Sequence, residues 1–421
     1  MYQARQLIHV LQEFSIPLII GVVAGLAVAN IDNHFYEKLV DYHLFGSGAE
    51  VFGHPITSHF LINGIFMVFF FGIATKEITE SVLPGGALNP IPRAINPLMG
   101  TLGGVLGPAG LYLLLTWVFY GGTDDFSVVA NGWGIPAATD IALAWLVARL
   151  AFGNGHPAVN FLLLLAVADD AIGLGIIAVF YPDPENPVQP AWLLLTVAGM
   201  ATAYALRRSK VDYWPAYVFI AGAMSWAGLA KSSIEPALAL VVIVPFLPGP
   251  QREPGPVLQK THPDPAPRRQ GADLVPATHR PNALEQFEHQ LKLFVDLGLF
   301  FFAFANAGVA FGSINAVTFI VLASLIAGKT LGVSFFSWAA TKFGFPLPAG
   351  MGMRHLAVAG MVAGLGLTVA LFVAGKAFAG PPFQDPAKMG AVLSAGVALL
   401  ALAAAAVLKV KDGAGHREKR P

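Results

Sequence analysis

Long apolar runs alternate with short polar stretches along almost the whole chain. A helix that crosses a bilayer needs roughly 17–25 mostly apolar residues. Twelve runs fit, at 14–31, 57–75, 97–120, 133–150, 157–181, 190–207, 213–230, 232–248, 292–312, 316–341, 355–379 and 388–409. The seventh and eighth are short, as tilted or partly re-entrant segments are. The pattern predicts an all-α membrane protein of about twelve transmembrane helices: eight over 1–248, a linker at 249–283, four more over 284–410, and a tail at 411–421.

Composition agrees. Of 421 residues, 55% are hydrophobic and 12% charged, against about 25% charged in soluble domains, and the mean hydropathy is +0.64. The formal charge is zero, which removes the electrostatic case for a nucleic-acid partner. Cysteine is absent, which excludes disulfides and thiolate metal sites. Arg5 and Glu13 make the first residues too polar for a signal peptide, so the first run reads as an uncleaved span.

Lysine and arginine set the orientation. Odd-numbered loops carry acids: Asp32, Glu37, Asp41 and Glu50, then Asp124 and Asp125, then Asp183 and Glu185. Even-numbered loops carry bases: Arg149, then Arg207, Arg208 and Lys210, then Lys342 and Arg354. The tail adds Lys409, Lys411, Arg417, Lys419 and Arg420, so both termini are expected in the cytoplasm; Lys376, in the eleventh loop, breaks the pattern. The linker, with Pro250, Pro254, Pro256, Pro263, Pro265 and Pro267, falls on the cytoplasmic side and has a composition that buries no core.

Candidate chemistry sits inside the apolar runs. Asp169 and Asp170 are adjacent in the fifth, Thr139-Asp140 lies in the fourth, and Lys329 in the tenth. Ionisable groups at that depth usually face a polar cavity and mark an ion or proton path. Lys329 is about 20 Å into its span at 1.5 Å per residue, too deep to reach either surface, so a buried carboxylate, Asp169 or Asp170, is the economical partner. The two aspartates point about 100° apart on a helix, so one can face a cation while its neighbour turns to another helix. Two close unpaired carboxylates resist joint ionisation. A hard monovalent cation takes oxygen ligands, which these carboxylates, Thr139 and freed carbonyls supply. A proton competes for the same oxygens.

Gly132, Gly134 and Pro136 weaken the fourth span, and Gly360, Gly364 and Gly366, before Thr368, weaken the eleventh. Freed backbone groups are tolerated in a membrane only against protein or a water-filled cavity. Gly328-Lys329-Thr330 matches the end of a P-loop, but Ala323 occupies the first glycine position and no strand precedes it, so no nucleotide is expected.

These residues resemble a family. The strings Gly134-Ile135-Pro136-Ala137-Ala138-Thr139-Asp140-Ile141-Ala142, Ala168-Asp169-Asp170, Phe302-Ala303-Phe304-Ala305-Asn306-Ala307-Gly308-Val309, Gly328-Lys329 and Gly364-Leu365-Gly366-Leu367-Thr368 look like bacterial NhaA sodium/proton antiporters. The resemblance covers nearly everything but the linker and tail. It implies an NhaA-like fold of inverted repeats with two unwound, crossing helices. It further implies Asp170 as primary cation ligand, Asp169 as its proton-titrating neighbour paired with Lys329, Asp140 offsetting facing positive helix ends, and Thr139 beside the site. Electrogenic exchange of Na+, or Li+, for H+ follows, driven by the proton motive force and serving pH and sodium homeostasis in the bacterial inner membrane, with a possible homodimer and no cofactor.

Two departures stand out. Gly64 follows Asn63 where the family commonly has aspartate, and Ala74 stands where it commonly has glutamate. Lys76, Glu77 and Glu80 follow, and Glu288-His289 matches the family's pair before the ninth span. Lys76, Glu77, Glu288 and His289 are therefore candidates for a pH response, histidine being the side chain that ordinarily changes charge near neutral pH. The alternative is a related transporter moving K+ or an organic anion coupled to Na+ or H+. An intramembrane aspartyl protease lacks its Gly-x-Gly-Asp string here, and a channel would need weak repeated sites rather than one concentrated cluster.

Overall fold

A computed structural model describes residues 16–411, apart from 47, 53, 84–85, 90, 183–188 and 250–281. Asp183, Glu185, the linker prolines, and the tail beyond Lys411 lie outside the described residues.

Among the described residues six helices are long and apolar enough to cross a bilayer: Ser58–Val82, Ala94–Tyr120, Pro157–Phe180, Ala283–Ala307, Ala316–Lys342 and Pro381–Val407. Two further spans are broken pairs, Phe126–Ala137 with Ile141–Phe152, bent by 54°, and Met353–Ala363 with Thr368–Ala377, bent by 51°. Ile16–Ile31, Leu193–Arg208, 214–231 and Pro236–Phe246 complete the twelve predicted segments in order. Among the described residues strand pairing is confined to the first loop, where Glu50–Val51 pairs antiparallel with His54–Pro55 and His43 bridges to Thr57.

The ninth helix starts earlier than its apolar run. Asn282 caps it, accepting from the Glu285 N–H while the Glu285 side chain reaches back. This capping box fixes the start nine residues before hydropathy registers a span, so Glu288 and His289 are helical.

The helices form two packed sets that touch where the second span meets the fifth and the ninth meets the eleventh and twelfth. Ile16–Ile31 and Ser58–Val82 lie against Ala283–Ala307, and the eighth span joins them through the second and seventh. The third span packs on the tenth, and the broken fourth on the third, fifth and eleventh. Glycines permit the third–tenth contact. A Cβ on Gly103 would stand 2.1 Å from the Gly332 carbonyl oxygen, and one on Gly332 would stand 2.0 Å from that of Gly103. Close backbone approach through small residues is how apolar helices associate without a hydrophobic driving force, and here it sets the depth of Lys329, one turn away.

Candidate functional site: a buried charge cluster where two broken spans cross

The fourth span runs as a 3-10 helix over Asn131–Ala137, containing Pro136, then through extended residues into Ile141–Phe152. Proline has no N–H to give a helix ladder, and the Asp140 side chain takes over as the cap of the second half, accepting from the Leu143 N–H at 3.1 Å. In the eleventh span the break falls between Gly364 and Leu367. Gly360, which the sequence grouped with that break, is helical; its missing Cβ makes room for the Thr330 carbonyl.

The two breaks meet. The Asp140 N–H donates to the Leu365 carbonyl at 2.6 Å, and a Cβ on Gly366 would stand 3.1 Å from the Ala138 carbonyl oxygen. Each extended stretch thus satisfies part of the other's backbone, as an apolar surrounding requires. The helix beginning at Ile141 and the one beginning at Thr368 bring two N-termini to this crossing. Each carries roughly half a positive charge, and Thr368 faces the Asp140 carboxylate from the opposing half.

The fifth span passes beside the crossing. Asp169 is wholly buried, and its Oδ2 forms an ion pair with the Lys329 ammonium, itself at 0% exposure. Lys329 also donates to the Thr139 hydroxyl at 2.6 Å. That hydroxyl has one hydrogen to give, to Asp169 Oδ2 at 2.7 Å or to the Ala363 carbonyl at 2.8 Å. Lysine, threonine and aspartate therefore close a triangle at the base of the eleventh span's first half. Asp169 Oδ1 is left with no hydrogen-bond partner.

Asp170 points elsewhere. It lines a small pocket with Phe70, Phe71, Ala74, Leu174 and Val369, and its buried Oδ1 has no hydrogen-bond partner. Of the two carboxylates, Lys329 took Asp169, leaving Asp170 as the uncompensated one. An unpartnered buried carboxylate oxygen is costly unless something cationic visits it.

The outlying candidates separate. Lys76 pairs with Glu288 of the ninth helix and with Glu80 at 2.9 Å, while His289 is exposed on the neighbouring face of that helix. Glu77 is half-buried, one residue from Lys76. Ala74, where the resemblance leads one to expect glutamate, stands in the Asp170 pocket, and Glu77 follows three residues later on the same helix.

Sequence reading missed several polar contacts. Asn63 and Asn306 exchange side-chain hydrogen bonds at 2.9 and 3.3 Å. The His156 and His355 rings stack with centroids 4.9 Å apart. Lys376, the exception to the charge pattern, pairs with buried Glu235 at 2.6 Å. Only a charge out of place at Lys376 signalled any of these.

The chain matches the family model described as Na+/H+ antiporter 1 over residues 5–408. The Na(+)/H(+) antiporter NhaA of Geobacter sulfurreducens is 53% identical over 409 residues, covering 97% of this chain and 99% of that protein. The NhaA of Desulfitobacterium hafniense is 54% identical over 412 residues, covering 97% and 98%. The NhaA of a Jannaschia species is 41% identical over 420 residues, covering 92% and 94%. A solved structure of the sodium proton antiporter MjNhaP1 from Methanocaldococcus jannaschii aligns with a TM-score of 0.49 at 10% identity over 94% of this chain and 92% of that one.

Proposed function

This chain is a member of the Na+/H+ antiporter 1 family, and on that footing we propose that it is a multi-pass membrane antiporter exchanging H+ for Na+ at Asp169 and Asp170. The observation that carries the reading is the asymmetry of the pair: Asp169 holds the Lys329 ammonium and Asp170 does not.

The exchange is a competition for oxygen. Na+ is the cargo, and carboxylate oxygens of Asp170 and Asp169 are its anionic ligands, with Thr139 and nearby carbonyls completing a hard-donor set. When Na+ arrives at Asp169 and Asp170, the Asp170 carboxyl gives up its proton, and the Lys329 ammonium, no longer sole partner of Asp169, gives up a second. When protons return from the other side, Asp169 regains its ammonium partner and the ion departs. Asp140 offsets the two helix N-termini at the crossing, so an incoming cation does not meet uncompensated positive charge. More protons entering than Na+ leaving makes the cycle electrogenic, and each net charge draws about 2.3 kcal/mol per 100 mV of membrane potential.

Li+ shares the hard-donor preference and belongs among the cargoes. Both termini, and the proline-rich segment, lie on the cytoplasmic face of a bacterial inner membrane, by the distribution of Lys and Arg. Lys76, paired with Glu288, and the neighbouring Glu77 are the groups assigned to a response to cytoplasmic pH, with His289, exposed on the same helix as Glu288, beside them. The chain works as a transporter rather than an enzyme, and a homodimer is compatible with its exposed apolar surface. Proton release from purified protein on addition of Na+, Li+ or K+, across a pH series, tests the reading. Release by Na+ and Li+ that vanishes in acid is expected; Na+ binding that ignores pH would refute it.

A further inference from the structure

Between the Asp170 pocket and the end of the bundle assigned to the outside, one face of the half-helix Thr368–Ala377 carries three side chains in register. Val369 lines the Asp170 pocket. Phe372 meets Phe71 of the second span edge to face, ring centroids 5.2 Å apart at 86°. Lys376 sits one turn on, its ammonium 5.7 Å from the Phe372 ring centre. Residues spaced by three and four share a helix face, and the three cover about 10 Å along the axis.

Beyond Lys376 the packing opens. A cavity of about 350 Å³ is lined by Ser127, Asn131, Phe180, Tyr181 and Lys376, among others. Lys376 does not reach freely into it, because its ammonium is held at 2.6 Å by Glu235, whose side chain is only 3% exposed against 36% for Lys376. Glu235 is itself fixed, capping the eighth span by accepting from the Ala237 N–H at 3.2 Å. The eighth span packs on the second and seventh, whereas Thr368–Ala377 packs chiefly on the fourth and twelfth and more sparsely on the ninth. The ion pair and the Phe71–Phe372 contact therefore each tie one helix set to the other, on the outer side of the carboxylates.

We propose that Phe71–Phe372 and Glu235–Lys376 form a two-layer outer gate whose opening admits the extracellular solution to Asp170. This rests on the antiport reading, since an antiporter must expose one site to each side in turn. The aromatic layer excludes water and ions next to the carboxylate. The ionic layer holds the half-helix against the eighth span, and its lysine side stays in reach of solvent while its glutamate is buried. Lys376 and Glu235 are positioning residues: they do not touch the cargo.

The chain contains no cysteine, which allows a direct test with full-length protein in vesicles. The double variant Glu235→Cys, Lys376→Cys is treated with a short bifunctional methanethiosulfonate reagent. Na+-dependent proton exchange is expected to stop on cross-linking and to return with dithiothreitol. Cross-linked protein that exchanges at the reduced rate overturns the gate alone, and so does failure of the two positions to cross-link. If the reduced double variant is inactive, charge exchange decides: Glu235→Lys should restore function to Lys376→Glu, and absence of rescue overturns the proposal. Wild-type vesicles without Na+-dependent proton flux would instead overturn the antiport reading, and the gate with it.

Discussion

The backbone N–H of Asp140 donates to the carbonyl of Leu365 at 2.6 Å, joining the break in one span to the break in another. This bond fixes where two helix N-termini face each other, and the Asp140 carboxylate sits between them. Asp140→Asn keeps an acceptor for the Leu143 N–H but removes the charge, so it should fold normally and exchange more slowly. Asp140→Lys adds a cation to two positive helix ends and should abolish exchange. Na+-driven proton flux in vesicles, with thermal unfolding as the folding control, separates the two effects. An Asp140→Lys protein as active as wild type would contradict this account of the crossing.

Asp170 is the carboxylate without an ammonium partner, so Asp170→Asn should eliminate Na+-induced proton release while leaving the fold intact. Removing an uncompensated buried charge costs little, so its melting temperature should match or exceed that of wild type. Calorimetric titration with Na+ would check the first part and a melting curve the second. Retained Na+ binding would move the cation site elsewhere.

Lys329 and Asp169 are both fully buried and paired. Removing one partner strands the other, and breaking a buried pair costs about 3–5 kcal/mol. Lys329→Ala should therefore melt well below wild type, and the double variant with Asp169→Asn should recover much of that loss. A double variant no more stable than Lys329→Ala would mean that Lys329 stabilises through packing rather than charge.

Gly332 has no room for a side chain against Gly103. Gly332→Val should push the tenth span from the third, at a cost of about 1–3 kcal/mol or more, and carry Lys329 out of reach of Asp169. Exchange should fall sharply although residue 332 touches neither carboxylate. Wild-type exchange kinetics in this variant would show that the helix seam does not position the lysine.

His156 caps the fifth helix through Nδ1, accepting from the Ala158 N–H at 3.1 Å, and stacks on His355. Burial first, and then the neighbouring His355, lower its pKa below the ordinary 6.5. The unfolded chain therefore takes up this proton before the folded one does. Stability from this group is present above 6.5 and declines as pH falls below it. The melting temperature of wild type should drop on mild acidification, and His156→Gln should drop less over the same window. Parallel acid sensitivity in both proteins would assign the effect to other groups.

The contrast between Lys329 and Lys376 shows how much was legible beforehand. Lys329 stands out because a lysine in the middle of an apolar run has no cheap solution except a buried anion, and the nearby spans offer few. Lys376 sits near a span end, where a lysine ordinarily reaches water, so nothing in its neighbourhood points to Glu235 more than a hundred residues away. The breaks at Pro136 and at Gly364 were readable in the same way, because proline and clustered glycine weaken a helix wherever they occur. Gly360 marks the limit of that rule: glycine also serves close packing, and only its neighbour, Thr330, tells the two uses apart.

By itself the sequence determined the number and order of the apolar spans, the two weak helices, and the short set of buried charges, because each is a local conflict between a residue and an apolar surrounding. It also carried the family strings. Between Asp169 and Asp170 as partners for Lys329 the residues by themselves left the choice open, and the pairing with Asp169 that the resemblance implies is the one the tertiary structure makes. Tertiary structure alone decided that the two breaks hydrogen-bond to each other and that Glu288 meets Lys76 while His289 faces outward. Those choices depend on helix rotation and on which surfaces pack, and a change of one residue in register turns a side chain through about 100°, which hydropathy does not record.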